Sequence, residues 1–220
     1  MTRTLLRSDT PVTLVGGGPV AADQLGAALG LAPTVVAADG GADVALPEPH
    51  RFRAVIGDLD SLRGRPGLEA AGVAVHEVAE QNSTDLEKCL YSVSAPLFIG
   101  LGFLGGRLDH TLAAMSALLG RPDVVAVLVG ENDVCFLCPE MLEMDLPAGT
   151  RVSLYPLAPS RGVTGEGLRW PIGGRDLAPG GLIGTSNAAT GGPVRIGFDS
   201  RCVLVILPAD RLGSVCAAVV

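Results

Sequence analysis

The sequence predicts a mixed α/β chain: an N-terminal, mostly parallel sheet with helices on both faces, followed by a C-terminal all-β sandwich. Three observations predict it. Over roughly the first 130 residues, short apolar strand signals alternate with helical ones, the pattern of a parallel sheet covered by helices. From about Glu140 the helical period gives way to short strand-like pieces between Pro/Gly turns. Acidic residues recur where the N-terminal strands end, the edge on which open α/β sheets bind ligands.

The elements follow in order. Val12–Gly16 reads as a first strand, and Gly16-Gly17-Gly18-Pro19 leads from it into a small-residue helix ending near Gly30. Thr34–Ala38 is a second strand, closed by Asp39-Gly40-Gly41, and Arg53–Gly57 a third, closed by Asp58-Leu59-Asp60-Ser61. Val73–Val78 is a fourth, and a polar loop runs from it into a helix over Asp85–Ser94. Leu97–Leu101 is a fifth. The helix after Gly105-Gly106 carries Leu108, Leu112, Met115 and Leu119 at helical spacings of four, three and four, hence on one face. Val124–Val129 is another strand. Beyond it, Arg151–Leu157, Val194–Phe198 and Cys202–Leu207 are strand-like, divided by Leu-Pro-Ala-Gly, Trp-Pro-Ile-Gly-Gly and Ala-Pro-Gly-Gly turns. The expected domains are 1–139 and 140–220.

Composition narrows the function. With 48% hydrophobic residues the 220-residue chain can bury a core, and its apolar runs fall short of the roughly 18 residues a membrane span needs. The opening MTRTLLRSDTPV has no apolar stretch of signal-peptide length, so a cytoplasmic protein is expected. A net charge of −7 argues against a nucleic-acid surface. Lys88 is the sole lysine and no Gly-Lys-Ser/Thr occurs, which excludes a P-loop. Five cysteines read as reduced thiols, and Cys135 and Cys138 form a CxxC without the partners of a zinc site.

The chemistry is expected among the acids. Asp39 ends the second strand, Asp58 and Asp60 the third; Asp85 opens the helix after the fourth, and Asp109 the helix after the fifth. Gathered on one edge they repel, and a divalent cation would offset that; Mg²⁺ favours carboxylates together with substrate phosphates. If the backbone stays extended, Asp58 and Asp60 point the same way while Leu59 turns to the core. An Asx turn is the plainer reading of a single such acid. Thr84 and Glu87 form a capping box, and the helix end they cap is also an anion site. Lys88 either neutralises phosphate or lies on a solvated face. Arg107 offers a planar fork for phosphate, Asp109 a nearby carboxylate. His110 stays open between site and helix end; His50 and His76 read as structural or surface residues. Gly16-Gly17-Gly18-Pro19-Val20-Ala21 with Asp39 downstream imitates a dinucleotide fingerprint, but such an enzyme has no use for the later acids.

Taken in order, Ala38-Asp39-Gly40-Gly41-Ala42, Gly57-Asp58-Leu59-Asp60-Ser61, Ser83-Thr84-Asp85-Leu86-Glu87-Lys88 and Gly105-Gly106-Arg107-Leu108-Asp109-His110 closely resemble thiamine pyrophosphokinase. Gly167-Leu168-Arg169-Trp170-Pro171 and Gly184-Thr185-Ser186-Asn187 resemble that family's substrate-side motifs, so the likeness spans nearly the whole chain. It implies a homodimer whose active sites form where one subunit's α/β domain meets the other's β domain. It also implies the reaction, thiamine plus ATP giving thiamine diphosphate and AMP.

Under the resemblance Asp58, Asp60 and Asp85 would hold Mg²⁺. Asp39, Gly40, Gly41, Thr84, Lys88 and Arg107 would meet nucleotide or phosphate. Asp109 would bind metal or position the hydroxyl. Trp170 would stack on the heterocycle, with Ser186 and Asn187 bonding the pyrimidine. Ala188 stands where many relatives carry Glu, and Leu59 where an aromatic is common. A pyrophosphokinase for another hydroxymethyl heterocycle such as a pterin, or a sensor without turnover, are the alternatives.

Overall fold

The computed structural model describes residues 4–47, 50–60 and 62–220, so Ser61 of the Gly57–Ser61 motif lies outside the described residues. Two compact units divide the chain, one of Met1–Ala117 with Leu128–Glu131, the other of Leu118–Val127 with Asn132–Val220.

The first unit runs β1 (Leu6–Arg7), β2 (Val12–Val15), α1 (Ala22–Leu31), β3 (Thr34–Ala38), β4 (Phe52–Gly57), α2 (Arg65–Ala70), β5 (Ala74–Glu77), α3 (Asp85–Ser92), β6 (Val93–Ser94), β7 (Phe98–Leu101) and α4 (Leu108–Gly120). The division falls inside α4 and again inside β8 (Ala126–Val129). Strands β7, β2, β3, β4 and β5 are neighbours in that order and pair in parallel. Every residue of β2 and β7 is buried. Successive side chains point to opposite faces, so both faces of these strands are covered, which explains their nearly continuous apolar runs, broken only by Thr13, whose hydroxyl donates to the Ala32 carbonyl. The register sets Ala38 beside Ile56, so the residues following β3 and β4 emerge side by side.

The second unit continues with β9 (Asp133–Leu137), β10 (Leu142–Leu146), β11 (Arg151–Pro156), β12 (Ser160–Glu166), β13 (Asp176–Leu177), β14 (Gly184–Ala188), β15 (Gly192–Phe198), β16 (Val203–Pro208) and α5 (Leu212–Val219). Its pairings are antiparallel: β14–β11–β16–β9 in one sheet, β10–β15–β12–β13 in another. Along β10 and β12 buried and exposed residues alternate, the mark of a sheet with one solvated face.

Two local expectations are corrected. The helix expected to run to Ser94 stops at Ser92, because Val93 and Ser94 turn extended and pair with Leu6 and Arg7. On α4 the leucines that mark the helical period do not lead into the core: Leu108 is 73% and Leu112 60% exposed, whereas Ala114, Ala117 and Leu118 are buried. The buried side of this helix is thus built from Ala114, Ala117 and Leu118, not from Leu108 and Leu112. No helix among the described residues is long and apolar enough to cross a membrane.

Candidate active site

Three carboxylates converge beyond β3 and β4. Asp39, Asp58 and Asp60 each offer an oxygen within 4.8 Å of the others. Two oxygens on opposite sides of a divalent cation lie about 4.2 Å apart around Mg²⁺ and about 5 Å apart around Ca²⁺, so the trio has the span of a hard-cation site. Asp39 makes the strongest case. It is only 4% exposed, and its Oδ1 is buried without a hydrogen-bond partner. A buried, unpartnered carboxylate oxygen is expensive unless something positive completes it, and oxygen donors of this kind suit Mg²⁺.

The backbone is bent to build this group. Asp39 (φ 44°) and Leu59 (φ 64°) are left-handed, a conformation non-glycine residues adopt rarely and retain at functional sites. The Asp58–Asp60 pair therefore does not arise from extended alternation. Leu59 is half-exposed instead of turned to the core, and the Asp60 N–H approaches Asp58 Oδ1 at 3.4 Å in an Asx-like turn. Glycine is needed at two neighbouring points. A Cβ on Gly57 would stand 2.7 Å from Asp39 Cβ, and one on Gly41 1.9 Å from the Val15 carbonyl oxygen. Gly40 and Gly41 lie in the short 3₁₀ helix Asp39–Asp43, which starts at the site residue Asp39. Leu59→Gly should shift stability by less than about 1 kcal/mol, because relief of the left-handed backbone offsets glycine's entropy. Leu59→Val should cost more than about 1 kcal/mol, a branched Cβ fitting that conformation worse. Equal thermal melts for wild type and Leu59→Val would remove the claim of strain.

Lys88 neutralises the rear of the cluster. It is 1% exposed, so the solvated-face reading fails: its Nζ donates to Asp58 Oδ2 at 3.1 Å and to Asp85 Oδ1 at 3.5 Å. Burial by itself pulls the Lys88 pKa down, but these two carboxylates outweigh it and hold the ammonium above its ordinary range. Burial likewise pushes the Asp58 carboxyl up, and hydrogen bonds from Lys88, the Asp60 N–H and Gln81 bring it below the usual carboxylate range. Asp85 moves the other way. Burial lifts it most, Lys88 pulls it down, and the charges of Asp39 and Asp58 add to the rise. It borders the trio without sharing the 4.8 Å group.

The loop before α3 holds two residues that sequence reasoning passed over as merely polar. Gln81 Nε2 donates to Asp58 Oδ2 at 3.1 Å. Glu80 gathers the Asn82 and Ser83 N–H groups, the Ser83 hydroxyl and the Tyr91 hydroxyl. Those donors, Ser83 first, lower its pKa from 4.5 to about 2. A depressed carboxyl stabilises the fold above its unfolded pKa and loses that contribution as pH falls through the folded one. Glu80→Gln should therefore lower the melting temperature at pH 7, with the gap to wild type closing as pH drops from about 4.5 to about 2. A gap independent of pH would contradict the role. Thr84 caps α3 in the expected box, its N–H donating to Glu87 Oε2 at 2.8 Å and its Oγ1 accepting from the Glu87 N–H at 3.3 Å.

Arg107 and Asp109 are both exposed and engage each other, Nη2 to Oδ2 at 2.6 Å and Nε to Oδ1 at 3.1 Å. The guanidinium depresses the Asp109 carboxyl. Asp109 is not in the 4.8 Å group. Cys135 and Cys138 are buried, and burial lifts both thiols to about 12, leaving them neutral.

In the second unit Trp170 is no core residue. Half-exposed, it lines a cavity of about 230 Å³ with Ile172, Leu177, Leu182, Ile183 and Thr185, and the Arg169 guanidinium lies 4.8 Å from its ring centre. Ser186 is exposed and left-handed (φ 61°), its N–H held by Ser153 Oγ at 3.0 Å. Asn187 is buried, and its amide is bonded to backbone. The three left-handed non-glycine residues among those described thus all fall in motifs singled out above.

Comparison with known proteins agrees. The family model described as thiamin pyrophosphokinase, catalytic domain, matches residues 27–127, and that described as thiamin pyrophosphokinase, vitamin B1 binding domain, matches 141–203. Thiamine pyrophosphokinase 1 of Oryza sativa subsp. japonica is 30% identical over 182 residues, covering 73% of this chain and 69% of its own. Thiamine pyrophosphokinase 2 of Arabidopsis thaliana is 29% identical over 203 residues, covering 77% and 76%. The solved thiamin pyrophosphokinase from Candida albicans superposes with a TM-score of 0.77 over 91% of this chain and 89% of that one; at 17% identity this likeness speaks for the fold.

Proposed function

The chain belongs to the thiamine pyrophosphokinase family and is a diphosphotransferase, and we propose that it moves the pyrophosphoryl group of Mg-ATP to the thiamine hydroxyl, releasing AMP. The observation that carries the phosphate half is the buried Asp39 carboxylate, one oxygen of it unpartnered, grouped within 4.8 Å of Asp58 and Asp60. Asp58 and Asp60 hold the metal, with Asp39 a third carboxylate and Asp85 bordering them. Mg²⁺ there supplies charge neutralisation and orientation for phosphate oxygens.

The chain's own groups do the rest. Lys88 and Gln81 fix the Asp58 carboxylate from behind. Arg107, released from Asp109, turns its fork to phosphate, which leaves the Asp109 carboxylate free to position the attacking hydroxyl. The capped N-terminus of α3, with Thr84, and the Asp39-Gly40-Gly41 turn present backbone to the nucleotide. In the second unit the Trp170 ring and the exposed Ser186 hydroxyl receive thiamine, a flat cation that an indole face attracts.

The wider reading places ATP and Mg²⁺ on residues 1–139 and thiamine and dimerisation on a β-sandwich of 140–220. The protein would be a cytoplasmic homodimer with active sites at the subunit interface. Supporting the dimer are apolar side chains left exposed, Leu108 and Leu112 on α4 and Leu182 and Ile183 beside Trp170. The relatives' names favour neither the pterin nor the sensor alternative. The test is an assay with Mg²⁺, ATP and thiamine that separates AMP from ADP. AMP formed with thiamine diphosphate is the expected result. ADP, or AMP only with a hydroxymethyl-pterin, would overturn the assignment.

A further inference from the structure

We propose that Asn187 is a positioning residue: its side-chain amide stands in for a peptide group and fixes Trp170, and it does not bind the substrate itself. The proposal rests on Trp170 being the surface on which thiamine stacks.

A carboxamide has two N–H donors and an oxygen with two lone pairs. Asn187 Oδ1 accepts from the Trp170 N–H at 3.1 Å and from the Ala188 N–H at 2.8 Å, and Nδ2 donates to the Trp170 carbonyl at 2.7 Å. Two donors and one acceptor on the partner side leave the amide one sensible orientation. Both lone pairs and one N–H are taken, and the residue is only 3% exposed. An oxygen so occupied has no capacity for a heterocycle; Asn187 is part of the cavity lining, with its amide turned to the Trp170 backbone.

What the amide builds is an extension of β pairing. Leu168 bridges Ala189 antiparallel, and the Arg169 N–H donates to the Ala188 carbonyl at 2.8 Å. One residue further on, the Trp170 N–H and C=O both meet the Asn187 side chain where a strand would offer backbone. Trp170 is thereby held by its main chain while its ring stays half-exposed at the 230 Å³ cavity. The left-handed Ser186, tied to Ser153, precedes Asn187, so one side chain is exposed and the next buried. The two motif residues thus divide: Ser186 is open to a ligand, and Asn187 is spent on the wall.

Trp170 is the only tryptophan, so its fluorescence reports this position alone. Asn187→Asp keeps the acceptor and loses the donor to the Trp170 carbonyl. Without ligand, the variant should show lower Trp170 anisotropy and a shifted emission maximum. Its thiamine KM should rise about tenfold while the ATP KM stays within about twofold. A raised thiamine KM with an unchanged ligand-free Trp170 signal means direct contact and overturns the proposal; so does an unchanged thiamine KM. Should the variant not fold, the wild-type protein decides by NMR. The Asn187 side-chain amide should exchange slowly without thiamine and shift less on its addition than the Trp170 indole N–H, and the reverse order overturns the proposal. Wild-type emission that ignores saturating thiamine would instead remove the stacking role of Trp170, and the proposal with it.

Discussion

Asp58→Asn should cut pyrophosphoryl transfer by roughly a hundred-fold to ten-thousand-fold, the several kcal/mol that a misplaced metal forfeits in the transition state. The chain should nevertheless stay folded, because two changes in stability oppose each other. The Lys88 ammonium loses a charged hydrogen bond at 3.1 Å, which costs about 2 kcal/mol. One of four neighbouring carboxylates also disappears, relieving repulsion that a single lysine offsets only in part. Lys88 keeps Asp85 at 3.5 Å. The expected result is a protein whose melting temperature lies within a few degrees of wild type and whose AMP production is nearly lost. Activity within threefold of wild type would remove Asp58 from the metal site.

Lys88→Met should do the reverse, with its largest effect on stability. Here both changes act in the same direction. Asp58 and Asp85 lose their counter-charge, and the carboxylate group is left with repulsion alone. Breaking a buried pair costs about 3 kcal/mol or more; Asp85 remains 41% exposed and solvated, so about 2–3 kcal/mol is expected without metal. Because the deficit is electrostatic, Mg²⁺ should restore more stability to the variant than to wild type, following linkage of binding to folding. Thermal melts with and without Mg²⁺ make the comparison. A variant as stable as wild type in chelator would mean that Lys88 does not balance the acids.

These effects separate what was legible in the sequence from what was not. Strands buried on both faces could be read directly: Thr34–Ala38 carries only apolar or β-branched residues and occupies the expected bounds. Strands β12 and β14, Ser-Arg-Gly-Val-Thr-Gly-Glu and Gly-Thr-Ser-Asn-Ala, have too little apolar content for the period to show. They are strands because antiparallel partners supply the hydrogen bonds. On α4 the spacing gave the helix but not its buried side, since Ala114 and Ala117 carry too little hydrophobic signal to outweigh Leu108 and Leu112.

The site divides the same way. Acids at strand ends were visible in order, but the juxtaposition of Asp39 with Asp58 depends on β3–β4 register, a long-range fact. The convergence of Asp58 and Asp60 was expected for the wrong reason, since Leu59 breaks the extended alternation. Lys88 was ambiguous because a lone lysine on a helix is ordinarily solvated; only the carboxylates gathered by tertiary structure justify its burial. The resemblance assigns Asn187 to the ligand; its hydrogen bonds with the Trp170 backbone and the Ala188 N–H are a further fact that no local pattern reveals.

The central claim is that Asp39, Asp58 and Asp60 jointly hold a divalent cation. Mn²⁺ titration followed by electron paramagnetic resonance, with the α,β-methylene analogue of ATP present, tests it most directly. Asp39→Asn, Asp58→Asn and Asp60→Asn should each weaken Mn²⁺ binding by tenfold or more while the fold is kept. Wild-type Mn²⁺ affinity in Asp39→Asn, the variant of the buried and unpartnered carboxylate, would contradict the claim.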